Sequence, residues 1–300
     1  MSFQGRKKTF MPLLLATLFS LSGAGPVFAQ NAYITNQTSN NVSVIDTVTN
    51  TVVTTIPVGA APFGVAVSPS GRNVYVANIH SNTVSVIDTA TNTVISTINV
   101  GVQPLGVAIT PDGTKVYVAN DGAASVSVIN TTTNSVSSTI TLGSPGNPNP
   151  VGVAVSPDGS TVYVSSGTPQ ATNGVSVIAT ATDTVTATIN IGVNANPFGV
   201  AFTPDGRTAY VARHNFGDVA VIDPTTNVMV GTIQAGFGTW GLAVSPDGTR
   251  LYATNREGMS VSVIDTATNT VIGSVASLFP LVYRSPPTAV SSMSAPTQAT

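Results

Sequence analysis

From residue 31 onward, apolar residues arrive in short bursts separated by turn-forming residues, and four kinds of burst recur in a fixed order. One opens on tyrosine: YITN at Tyr33, YVAN at Tyr75 and Tyr117, YVSS at Tyr163, YVAR at Tyr210 and YATN at Tyr252. These tyrosines are spaced by 42, 42, 46, 47 and 42 residues. A second burst is VSVID ending at Asp46, Asp88 and Asp265, with variants ending at Asn130, Ala179 and Asp223. A third is typified by TVISTINV, Thr93 to Val100, and a fourth is GVAV or a close variant starting at Gly64, Gly106, Gly152, Gly199 and Gly241. Runs this short, rich in Val, Ile and Thr and without a 3.6-residue apolar period, predict strands.

The connections carry turn chemistry. Between the GVAV run and the tyrosine run stands Pro-Asp-Gly, at Pro111-Asp112-Gly113, Pro157-Asp158-Gly159, Pro204-Asp205-Gly206 and Pro246-Asp247-Gly248. Proline presets φ, aspartate braces the turn with its side chain, and glycine accepts positive φ. Between the VSVID run and the third run stands Asp-Thr-Ala-Thr-Asn-Thr or a relative, as at Asp88 to Thr93. These aspartates recur once per unit at tight turns, so they read as structural rather than catalytic.

Four antiparallel strands every ~42 residues predict a β-propeller blade. The fold class is therefore all-β, with four-stranded antiparallel blades, most simply six. Ala66, Ala108, Ala154, Ala201 and Ala243 keep the GVAV strand slim, as an innermost strand must be. Stacked blades bury both faces of each sheet, which accounts for the near-continuous Val/Ile runs. The set GVAVSPDG, VYVAN and NTVSVIDTATNTV resembles the YVTN family of β-propeller repeats over residues 32 to about 276. Ser166 and Arg213 depart from that family's strand, standing where its Asn would fall. The resemblance implies an exported or cell-surface bacterial or archaeal protein, in most cases a binding or scaffold module without shared catalytic residues. On the same fold it also implies lactonase-like and lyase-like enzymes and haem- or quinone-linked oxidoreductases.

The first unit has no GVAV strand before it. A closed ring needs the C-terminus to supply one, and residues 280–286, PLVYRSP, are the candidate, with Leu281 in place of the glycine and Tyr283 in place of the alanine. The alternative is an incomplete seven-bladed propeller. The expected organisation is a signal peptide over residues 1–29, a single propeller domain over 30–286 and a disordered low-complexity tail over 287–300.

Composition sharpens this. Arg6, Lys7 and Lys8 precede an apolar stretch from Phe10 to Leu21, and Val27-Phe28-Ala29 supplies small residues for cleavage after Ala29. The mature chain is then expected outside the cytoplasm with net charge −5 and no transmembrane span. Charged residues are 7% of the chain, against roughly 25% in an ordinary domain. An acidic balance argues against a nucleic-acid partner. The absence of cysteine removes disulfides, thiolate metal sites and cysteine nucleophiles.

Six copies within one chain serve as an internal alignment. The turn motifs vary little, whereas the loops between the tyrosine run and the VSVID run vary strongly. Loops on a rigid scaffold are where binding residues concentrate. The candidate binding residues are therefore His80, Asp121, Arg213, His214, Phe216, Asp218, Trp240, Arg256 and Glu257. His80 and His214 lie three units apart and would have to meet over the central funnel to hold a divalent cation. Both read better as loop residues, and no catalytic residue, metal or cofactor is assigned. The expected function is an extracytoplasmic binding or scaffold protein whose variable face meets a protein or surface polysaccharide, most simply as a monomer. The alternatives are a lactonase- or lyase-like enzyme with a funnel metal and a structural surface-layer component.

Overall fold

The computed structural model describes residues 31–142, 149–167 and 174–277. The expected export segment at 1–29, closing strand at 280–286 and tail at 287–300 lie outside the described residues. No helix among those residues is long and apolar enough to cross a membrane.

The chain is an all-β propeller of six antiparallel blades. The first is described as three strands, Asn31–Asn36, Asn41–Asp46 and Thr51–Pro57. Five four-stranded blades follow over residues 62–99, 104–141, 149–190, 197–234 and 239–276. Each is a meander from an inner strand such as Pro62–Val67 to an outer strand such as Thr93–Asn99. The register repeats: Ala66 faces Tyr75, Ala108 faces Tyr117, Ala154 faces Tyr163, Ala201 faces Tyr210 and Ala243 faces Tyr252.

The core lies between blades. Tyr75, Val84, Val86 and Ile98 of the second pack against Val116, Val118 and Ile129 of the third, and equivalent clusters join the other consecutive blades. The tyrosine hydroxyl crosses the same boundary. Tyr75, Tyr117, Tyr163 and Tyr210 donate to Asn134, Asp183, Asn227 and Asn269, each in the hairpin of the following blade, at 3.5, 2.6, 2.5 and 3.0 Å. Burial and neighbouring carboxylates push the Tyr163 and Tyr210 hydroxyls up to about 12, so they remain donors.

At the axis the tightest position is two residues before the alanine that the sequence singles out. A Cβ at Gly64, Gly106, Gly152 or Gly199 would sit 2.1, 2.3, 2.1 or 2.7 Å from a carbonyl oxygen of the next inner strand. Only glycine admits so close an approach. On the hairpin side, Gly113, Gly159, Gly206 and Gly248 adopt positive φ, as the turn motif predicts, and lie against Pro69, Pro111, Pro157 and Pro204 of the preceding blade.

The Asn ending each tyrosine strand is a staple. Asn78 Nδ2 donates to Thr83 and Ser85, Asn120 to Ser125 and Ser127, and Asn255 to Ser260 and Ser262. In the fifth blade Arg213 replaces it and grips Asp218 with two bonds of 2.7 and 2.6 Å while donating to the Ile191 carbonyl. Ser166 in the fourth blade is too short to staple, and its hydroxyl is buried without a partner among the described residues.

Candidate functional site

The loop face is built on one repeated backbone contact. Ile79, Asp121, His214 and Arg256 each donate their N–H to the residue just before their own inner strand: Ala61, Gln103, Asn196 and Gly238, at 3.0, 3.0, 3.3 and 2.9 Å. All four acceptors have positive φ. The side chain preceding the inner-strand glycine is Phe63, Leu105, Val151, Phe198 or Trp240 in successive blades, and in the second, fifth and sixth the contact brings the loop residue beside it, Ile79 by Phe63, His214 by Phe198 and Arg256 by Trp240. These five positions ring the mouth of the axis.

The mouth has two unlike halves. On one side Ala61, Phe63, Ile79, Leu105 and Val151 form an apolar cluster. On the other, Phe198 and Trp240 stack with centroids 3.6 Å apart and planes 21° apart. His214 meets both rings edge-on, at 5.3 and 5.6 Å. The Arg256 guanidinium lies over the Trp240 ring at 5.2 Å, a cation–π contact. His214 Nε2 is buried without a hydrogen bond, 3.3 Å from Glu257 Oε2, so protonating the ring would create a charge pair. Glu257 lies folded over Gly238, where a Cβ would fall 1.2 Å from its Oε2.

Outside this cluster runs an apolar ridge. Val193, Phe216, Phe237 and Met259 are 66, 44, 81 and 59% exposed. Their loops abut in order: a Cβ at Gly192 would lie 3.5 Å from the Phe216 ring, and one at Gly217 3.4 Å from Phe237 Cα. Gly258 N–H donates to the Phe237 carbonyl at 3.0 Å. Phe237 stands between Gly236 and Gly238, both at positive φ, and this Gly-Phe-Gly tip holds the ring out in water. Arg213 lies over Phe216 at 4.7 Å.

The structure thus brings together six of the candidate residues, His214, Trp240, Arg256 and Glu257 at the mouth and Phe216 and Arg213 beside the ridge. Arg213 and Asp218 are buried against each other as a strand staple. Asp121 stands apart on a short turn, Asp121–Ala123, in the third blade, where burial pushes its carboxyl up to about 6. His80 is exposed and lies one position beyond Ile79, the residue equivalent to His214, so the two imidazoles do not occupy matching places. No group of three His, Cys, Asp or Glu side chains among the described residues is arranged to hold a metal ion. The sequence pattern puts Phe237 on a crossover loop of the variable face without singling it out for binding, and it singles out neither Met259 nor Val193. The glycines flanking Phe237 were the available signal.

Residues 27–114 match a family model described as YNCE-like beta-propeller, which spans the first two blades and the opening of the third. A curated relative, the PE-PGRS family protein PE_PGRS18 of Mycobacterium tuberculosis (strain ATCC 25618 / H37Rv), is 67% identical over 39 residues, covering 13% of this chain and 8% of that protein. The chain therefore spans less than a tenth of that relative's length. Among solved structures, Kuenenia stuttgartiensis hydrazine synthase superposes with a TM-score of 0.74 at 24% identity, over 82% of this chain and 83% of that one. A functionally unknown protein from Desulfotomaculum acetoxidans DSM 771 superposes with a TM-score of 0.67 at 20% identity, over 81% and 78%. Likeness at these identities speaks to fold alone. The chain is thus a six-bladed repeat propeller whose opening repeats match the YNCE-like beta-propeller model, a family close to the YVTN repeats its motifs resemble.

Proposed function

We propose that the protein is an extracytoplasmic, non-enzymatic binding module that recognises a protein partner through the loop face of its fifth and sixth blades. The observation that carries this reading is the exposed ridge Val193, Phe216, Phe237 and Met259 beside the Arg256–Trp240–His214–Glu257 cluster. Contiguous exposed apolar side chains rimmed by charged groups mark interaction surfaces. Aromatic and arginine side chains dominate the energetics of such surfaces. A protein partner fits better than a glycan, because Trp240 is 8% exposed and already stacked on Phe198, leaving little ring face for a sugar.

The test is quantitative capture from envelope and culture-medium fractions, with the mature chain as bait. Phe237→Ser combined with Met259→Ser should reduce the retained partner at least tenfold, with an unchanged melting temperature. Equal retention by bait and variant overturns the reading. Retention of polysaccharide in place of protein favours the glycan alternative.

A further inference from the structure

The hairpin side of the disc repeats more closely than the loop face, and it breaks its own pattern in the fifth blade. In four other blades the threonine after the VSVID run ties its hairpin to the turn that precedes the tyrosine strand. Thr89, Thr131, Thr180 and Thr266 donate their hydroxyls to the Gly71, Gly113, Gly159 and Gly248 carbonyls at 2.5–2.7 Å. Their N–H groups donate to the carbonyl of the residue after that glycine, at 2.9–3.2 Å. The fifth blade has Pro224 there, with neither a hydroxyl nor an N–H. The Gly206 and Arg207 carbonyls therefore lack the donors their counterparts have. The same turn frees a carboxylate oxygen. Oδ2 of Asp112, Asp158 and Asp247 accepts the hydroxyl two residues on, from Thr114, Ser160 and Thr249, at 2.8–3.0 Å. Arg207 stands at that position in the fifth blade, and among the described residues Asp205 Oδ2 meets only its Nε, at 3.9 Å, on a side chain that is 87% exposed. Phe202 is a third departure, standing where the other inner strands carry Val67, Ile109, Val155 and Val244. Its half-buried ring lies 4.8 Å from that of Tyr163. These departures meet at one place: a cleft of about 290 Å³ between the Pro157–Asp158 turn of the fourth blade and Phe202, Asp205, Gly206 and Pro224 of the fifth, walled wholly by described residues.

We infer that this cleft is a small-molecule site for a compact organic ammonium ion, its N–H groups donating to Asp205 Oδ2 and the Gly206 carbonyl and its apolar body lying against Phe202 and Pro224. The wall offers acceptors in excess of donors. Hydroxyl and backbone hydrogen bonds within their own turns hold the Asp158 and Asp205 carboxyls below the ordinary range, so both are anionic at neutral pH. An ammonium brings three donors and no acceptor. Its hydrogen bond to a carboxylate is charge-assisted and about twice as strong as one between neutral groups. The Arg207 guanidinium does not fill this role, because at 3.9 Å it is beyond hydrogen-bond reach of Asp205. A bare metal ion would want a third carboxylate or an imidazole, and no such group of three occurs among the described residues. Phe202, Pro157 and Pro224 give the cleft an apolar wall, which an organic body covers and a hydrated ion does not. The volume stands at the small end of ligand pockets, roughly 300–1,000 Å³, so the body is about the size of a single ring.

The probe is benzylammonium chloride, titrated into the full mature chain and followed by amide chemical shifts. Saturable shifts should centre on the amides of Ser160, Arg207 and Thr225, which belong to the cleft. Benzyl alcohol, of nearly the same shape without the charge, should bind at least tenfold more weakly. Asp205→Asn should weaken benzylammonium binding at least tenfold by removing the charge. Pro224→Thr should do the same by returning a hydroxyl to the Gly206 carbonyl. The first variant keeps the Oδ1 acceptor of its turn and the second restores the hairpin residue of four other blades, so both should fold. Asp247→Asn, at the matching turn of the sixth blade, should leave binding unchanged. Equal binding of benzyl alcohol, the absence of saturable shifts at those amides, or full affinity in either Asp205→Asn or Pro224→Thr overturns the proposal. The ridge and its capture assay share no residue with this site, so either reading can fail alone.

Discussion

Arg213 and Asp218 illustrate how one strand staple is exchanged for another. Elsewhere an Asn amide reaches the Ser or Thr five residues on, as Asn120 reaches Ser125, whereas here a guanidinium and a carboxylate do the same task. Removing one member of a buried ion pair leaves the other charged and unpaired, at about 3–5 kcal/mol, whereas replacing both can be nearly neutral. Asp218→Ala should therefore destabilise by about 3–5 kcal/mol in urea unfolding. The double variant Arg213→Asn, Asp218→Ser, which restores the staple of the other blades, should stay within about 1 kcal/mol of the parent. A double variant as unstable as Asp218→Ala would show that the pair has no such equivalent. The exchange is legible in the six copies once positions five apart are compared. Read singly, both residues sit in the most variable loop and look like ligand contacts.

At the scale of the element, the hairpins have a definite electrostatic sign. Asp88 Oδ1 accepts the N–H groups of Ala90 and Thr91 at 3.0 and 2.8 Å, and Asp265 does the same for Ala267 and Thr268. Backbone bonds of this kind hold Asp46, Asp88, Asp223 and Asp265 below the ordinary carboxylate range, and the hydroxyls of Thr110, Ser156, Thr203 and Ser245, followed by a backbone N–H, do the same for Asp112, Asp158, Asp205 and Asp247. Their stabilisation is complete above the unfolded value near 3.9 and is lost as pH falls through the lower folded values. Asp121 has the opposite sign. Burial raises its carboxyl to about 6, so its ionisation opposes folding above that pH and not below about 4. The melting temperature should fall steeply below about pH 4. Asp121→Asn should raise it at pH 8 and give no gain at pH 4, as calorimetry across that range would show. A gain independent of pH would remove the assigned cause. The turns themselves were legible, because Pro-Asp-Gly and Thr-Asn specify backbone geometry locally. The exposure of Phe237 was not, because it depends on how three neighbouring loops from two blades abut.

The whole molecule is held by contacts between neighbours, and stability follows position in the row. In such arrays each unit draws its stability from the interfaces on either side. The outer strand of the sixth blade, Thr270–Ala276, is exposed throughout, whereas Ser135–Thr141 of the third buries Ile140 and flanks a cluster covered on both sides. Amide exchange should accordingly be fastest in Thr270–Ala276 and slowest in the tyrosine strands of the third and fourth blades. Uniform protection would contradict a row stabilised from its middle. Fold class, strand order and blade count could be read from the chain because the same local pattern is written six times. The unlike halves of the axial mouth could not, because they arise from single departures at equivalent positions, Ile79 and Leu105 against His214 and Trp240.

The tyrosine hydroxyls carry a consequence for how such a chain changes length. Tyr75, Tyr117, Tyr163 and Tyr210 find their acceptor in the following unit, so the third, fourth and fifth units each present a donor forward and an acceptor backward, as Tyr117 and Asn134 do within the third. A tandem duplication of one of these three units would arrive with both fittings already in place and engage its new neighbours without compensating substitutions. Gain or loss of whole units is thereby a smaller genetic step for this protein than the repair of a single mismatched boundary.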